Sequence, residues 1–168
     1  IDIVKKFSNT TGVMQNPHTI FLAAENYVKI RASQGFKYCE ATIAPQYHVF
    51  GDEVCVAGTL SEKDVIDCLI AGIKSGEKLF PEIEVNLIGT VGREISSEDA
   101  VKLVEIFAKC DCRYMPAIGL VCDEAGHPPE KHKAMFGRAK KLGFKTTCPA
   151  GEWCHLSHEK PNALKDMG

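Results

Sequence analysis

The sequence predicts an α/β fold built from parallel strand–helix–strand units. Three observations carry that expectation. Four short apolar segments suited to strands are each separated from the next by a helix-patterned stretch, the alternation that parallel βαβ units produce. The strand segments run apolar almost without interruption, as strands covered on both faces do. Glycine, proline and helix-capping residues punctuate nearly every junction.

The elements follow in order. Asn16-Pro17 supplies a cap and a first-turn proline, and Phe21, Ala24, Val28 and Arg31 recur at helical spacing until Gly35 stops the run. Residues 37–45, KYCEATIAP, are extended in pattern and end at a proline. Ser61 opens a second helix with Asp64 three positions on, the spacing of a capping box, and Val65, Leu69 and Ile73 form its stripe. Residues 84–93, EVNLIGTVGR, make a second strand. Ser96 with Asp99 starts a third helix with Val101, Val104, Phe107 and Ala108 as its apolar face. A third strand covers 115–122, MPAIGLVC. Pro128-Pro129 leads a fourth helix carrying Phe136, Ala139 and Leu142, closed by Gly143. FKTTCPA, residues 144–150, is the fourth strand, and NALKDMG, residues 162–168, reads as the start of a further helix.

Right-handed crossovers leave two architectures for such a chain, a doubly wound sheet or part of a (β/α)8 barrel. Both place function at the carboxyl ends of the strands. Those ends carry Glu40 to His48, Gly92-Arg93-Glu94, Cys122-Asp123-Glu124 and Gly151-Glu152. No GxGxxG follows a strand and no GxxxxGK[ST] occurs, so nucleotide-phosphate loops are absent and the barrel is favoured. Asp123 and Glu124 could hold a cation, but adjacent acids on a strand end point to opposite faces, so only one faces the mouth.

Bulk properties exclude several classes. At 168 residues the chain is expected to be a single domain, 1–168. A net charge of −2 gives no electrostatic reason to expect nucleic acid or an anionic membrane as partner. No apolar run reaches the roughly 18 residues of a membrane helix, and IDIVKKFSN has no signal-peptide core. Of the eight cysteines, Cys39, Cys68, Cys122 and Cys148 lie inside apolar segments, where free cysteine acts as a small buried hydrophobe. The expectation is a reduced, cytoplasmic protein. His48, His127 and His132 are expected at the surface, His132 on the exposed side of its helix.

Four stretches together resemble the adenosine deaminase family of metal-dependent hydrolases. GFKYCEATIAPQYH is similar to the family's second strand, usually Y-x-E-x-R-x-x-P, with Tyr38, Glu40 and Pro45 matching and Thr42 in place of arginine. NLIGTVGRE is similar to the third strand, with its arginine at Arg93. AIGLVCDEAG resembles the fourth, G-x-D-L-A-G-x-E, with Glu124 as its last acid. FKTTCPAGE resembles the fifth, which normally ends T-x-H-A-G-E. The resemblance implies a partial (β/α)8 TIM barrel of about four βα units, strands 2 to 5 of the family fold.

It also implies the chemistry. The family hydrolytically deaminates adenosine to inosine, using a zinc ion to generate hydroxide from a bound water. The fifth-strand glutamate, here Glu152, protonates the purine ring, so Glu152 is the expected catalytic residue. Substrate contact is expected at Cys122, where the family has glycine, and at Gly151. The family's zinc is held by an H-x-H pair after the first strand, by the fifth-strand histidine and by an aspartate after the eighth. This sequence contains no H-x-H, and the one ligand position it covers is occupied by Pro149. Cys148, Cys154, His155 and His158 flank Glu152; a zinc site rebuilt on His155 and His158 is the weaker alternative to no zinc in this chain.

The expected ligand is a small purine nucleoside, and the open edges of a half-barrel allow self-association. A barrel of this type needs about 250 residues, so this chain alone is expected to be inactive. The competing readings are deamination of another purine, such as adenine or AMP, and a degenerate relative that binds a nucleoside or a protein without catalysis. Glu40 and Arg93 are expected to form a structural ion pair.

Overall fold

A computed structural model describes residues 11–49, 60–124 and 126–151. The chain divides into two compact units after Leu87. The first holds α1 (Pro17–Ser33), β1 (Tyr38–Ile43), a 3-10 turn (Pro45–His48), α2 (Glu62–Leu79) and the start of β2 (Glu84–Gly92). The second holds the remainder of β2, then α3 (Ser97–Phe107), β3 (Ala117–Val121), a 3-10 turn (Pro129–His132), α4 (Lys133–Lys141) and β4 (Lys145–Thr147).

The helix starts are those the capping residues predict. Asn16 accepts from the Thr19 N–H at 3.0 Å with Pro17 in the first turn. Ser61 and Asp64 form a reciprocal capping box, and Ser96 accepts from the Asp99 N–H. Each satisfies donors that a helix N-terminus leaves without intrahelical partners. In the first unit α1 buries Ile20, Ala24 and Val28, and α2 buries Val65, Ile66, Ile70 and Ile73. The two helices meet where α2 has no side chains: a Cβ on Gly76 would stand 2.6 Å from Val28 Cβ, and one on Gly72 2.8 Å from Ala24 Cβ.

In the second unit the apolar face of α3 is Ala100, Leu103, Val104 and Phe107. That face is rotated by about one position from the predicted one, leaving Val101 half-buried and Ala108 exposed. Arg138 of α4 and Glu105 of α3 form an ion pair on their outer surface.

The sheet order is β1-β2-β3-β4. Ile88 pairs with Ala117 and Gly92 with Val121, and Ala117 pairs with Lys145, all in parallel register. Sequential order without a reversal is the winding of a (β/α)8 barrel; a doubly wound sheet would switch direction. The central strands β2 and β3 are buried almost throughout, as predicted. The outer strands differ. β1 alternates exposed and covered positions, and all three residues of β4 are exposed. Among the described residues β1 and β4 border the sheet, and a bordering strand lacks the neighbour that would cover it. No helix of the described residues is long and apolar enough to cross a membrane.

Candidate functional site at the carboxyl ends of β2 to β4

Three strand-end loops of the second unit are tied together by one arginine. Arg93 follows β2 and is 1% exposed. Its backbone N–H donates to Val121 O at 2.9 Å, extending the sheet pairing by one residue. Its guanidinium donates to His127 O at 3.3 Å and Pro149 O at 2.9 Å, and lies 3.4 Å from Cys148 Sγ. Its own carbonyl accepts from Lys131 Nζ and meets His132 Nε2, each at 3.0 Å. A buried guanidinium is tolerable when its donors are used in this way. Glu40, expected to pair with Arg93, instead accepts from the Tyr38 hydroxyl at 2.8 Å.

A second clamp comes from β3. Both carboxylate oxygens of Glu124 accept from the Gly151 N–H, at 2.8 and 3.0 Å. The turn 149–151 is therefore held from two sides, by Arg93 at Pro149 and by Glu124 at Gly151. Gly151 adopts φ +86°, a left-handed conformation that glycine enters without steric cost. The neighbouring acid Asp123 turns elsewhere, 3.8 Å from His127 Nε2. The two acids thus have different partners. Both lie past the end of β3 at Val121 and after the left-handed Cys122, so strand alternation does not set their directions.

Cys122, at the end of β3, has φ +74°. It is exposed, which corrects the expectation of a buried hydrophobe, and Cys148 and Cys68 are half-buried. Only Cys39 of that set is buried. The cause is position: strand-end and surface-facing sites do not bury a side chain merely because their neighbours in sequence are apolar. None of the six described cysteines is in a disulfide.

Two histidines expected at the surface are buried. His132 is 0% exposed and His48 5% exposed. The Pro128-Pro129 lead-in starts a 3-10 turn before α4, and that turn aims His132 inward at Arg93 O. With Nε2–H donating to that carbonyl, Nδ1 is the lone-pair nitrogen, and it is buried without a partner. Burial, reinforced by the positive charges of Lys131 and Arg93, holds the His132 pKa below the ordinary 6.5 against the opposing effects of the Arg93 carbonyl and Glu94. Burial does the same for His48, whose Nδ1 lies 3.0 Å from Met14 O.

Glu152, His155 and His158 lie outside the described residues, as do Cys154 and the 162–168 helix. Pro149 is described. Its side chain has no donor atom, and its carbonyl is engaged by Arg93. No group of three or more metal-ligating side chains occurs among the described residues. The donor set at this strand end does not fit zinc coordination of the family type. Sequence reasoning missed the burial of Arg93 and His132 and the Glu124 clamp; the charged Arg93 at the end of an apolar run was the one available signal.

The segment's relationships agree with this geometry. An adenosine deaminase of Clostridium botulinum (strain Hall) is 30% identical over 151 residues, which are 90% of this chain and 43% of that protein. The chain thus spans less than half the length of that relative. Two solved structures share its fold. A zinc-bound cog1816 amidohydrolase from Burkholderia ambifaria has TM-score 0.74 and 23% identity, covering 83% of this chain and 36% of its own. The adenine deaminase of Arthrobacter aurescens has TM-score 0.74 and 18% identity, covering 87% and 42%. The sequence model of the adenosine deaminase family matches residues 1–166, and the chain, as four βα units of a larger barrel, belongs to that family.

Proposed function

We propose that the complete protein is a hydrolase of purine nucleosides that deaminates adenosine to inosine in the cytoplasm, with Glu152 as the acid that protonates the purine ring. The observation that carries this reading is the turn 149–151, fixed by Arg93 and Glu124 immediately ahead of Glu152. A general acid contributes only if its approach to the ring nitrogen is set within hydrogen-bond reach, and a doubly anchored turn supplies that. Gly151 and the Cys122 backbone line the same rim and are the proposed substrate contacts. Zinc supplies the activated water in this family; at Pro149 this chain offers it no ligand, so the natural sequence works slowly at best and the isolated segment not at all. Completion of the sheet at β1 and β4, by the rest of the chain or by a second copy, is required for turnover.

The test is made in the complete protein carrying Pro149→His, with adenosine, adenine and AMP compared as substrates. Adenosine is deaminated fastest, and adding Glu152→Gln lowers that rate by about 100-fold or more. Faster conversion of adenine or AMP would move the substrate. A second reading, a purine or protein binder without catalysis, is favoured by Pro149 itself; it stands if the complete protein binds inosine and the histidine variant remains inert.

A further inference from the structure

We propose that Glu124 is a positioning residue for the peptide that leads into Glu152, and through it for the purine at the rim. The inference rests on the purine reading above and deepens it. Glu124 sits two residues past the left-handed Cys122, and its carboxylate grips the N–H of Gly151 with both oxygens, at 2.8 and 3.0 Å. That peptide joins Ala150 to Gly151, so the bond anchors the chain one residue ahead of Glu152. Gly151 at φ +86° has no Cβ to restrict it; a glycine there needs an external anchor, since its own backbone samples many conformations. The opposite side of the turn is anchored separately, by Arg93 on Pro149 O. Loss of the Glu124 anchor frees the end of the turn nearer Glu152 while the Arg93 anchor keeps the strand in the sheet. A carboxylate accepting a backbone N–H is a charge-assisted bond, which suits a fixed point.

The experiment uses the complete protein labelled with ¹⁵N, compared as parent, Glu124→Ala and Glu124→Gln. The readouts are the Gly151 and Glu152 amide resonances, the thermal midpoint and the inosine dissociation constant from calorimetry. Glu124→Ala shifts both amides, raises the Gly151 hydrogen-exchange rate by about 100-fold, weakens inosine by about tenfold and leaves the thermal midpoint nearly unchanged. Glu124→Gln, which keeps an acceptor oxygen at the same place, restores most of the affinity. Unmoved amides overturn the proposal, as does an unchanged inosine affinity when the amides have moved. A parent that does not bind inosine sinks the purine reading; the two amides and their exchange then decide the role of Glu124 by themselves.

Discussion

At the residue scale, the left-handed backbone of Cys122 is the strained point of the rim. For an L-residue that conformation costs roughly 1–2 kcal/mol, partly offset in any comparison with glycine by glycine's greater freedom when unfolded. Cys122→Gly is expected to stabilise the protein by about 0.5–1 kcal/mol in urea denaturation. The family's glycine at this position was legible in the sequence, but the backbone reason for it was not, because a dihedral is set by the loop and not by the residue's neighbours in sequence. Histidines give a second prediction. His48 and His132 are both held below 6.5 by burial, so each stays neutral when folded and takes a proton more readily when unfolded. Stability from these groups is complete above about pH 6.5 and is lost as pH falls through that value toward their folded pKa values. Denaturation midpoints measured at about pH 7.5 and about pH 5.5 will show this drop. The double variant His48→Asn, His132→Gln, which mimics the two bonding nitrogens, will flatten it.

At the element scale, the α1–α2 contact depends on glycine. An added methyl at Gly76 would overlap Val28, and one at Gly72 would overlap Ala24 and the Phe21 carbonyl. Alanine ordinarily improves a helix, so the sign of the change is diagnostic: Gly76→Ala is expected to destabilise by about 2 kcal/mol through overpacking, read as a lower urea midpoint at unchanged slope. Element starts were legible because capping is local; Asn16, Ser61 and Ser96 each bond a residue three positions on. The apolar phase of α3 was less so. Ala100, Val101, Leu103, Val104, Phe107 and Ala108 are all apolar, and such a wide arc does not say which edge faces the sheet. The inward turn of His132 depends on the 3-10 turn after Pro128-Pro129, which no periodicity announces. Exposure of β4 reflects its place at the border of the described sheet, a property of neighbours and not of its own residues.

At the scale of the whole molecule, the parallel order β1-β2-β3-β4 and the match over residues 1–166 identify a segment of an adenosine deaminase-type barrel. At the carboxyl ends of β2 to β4, Arg93 bonds Val121 O and Pro149 O, and Glu124 bonds the Gly151 N–H. Of this chain's departures from the family pattern, Thr42, Cys122 and Pro149, the one that bears on the metal is Pro149, where a proline carbonyl faces Arg93 and a ligand imidazole is expected. On the proposed reading this substitution, and not the loss of the purine site, limits the reaction. The rate of adenosine conversion by the complete protein, measured with Pro149 and again after Pro149→His with zinc supplied, tests it most directly. A rise of about 100-fold or more, with zinc taken up only by the variant, is the predicted result. Full turnover and stoichiometric zinc in the natural protein, or a variant that binds zinc and still leaves adenosine untouched, would contradict it.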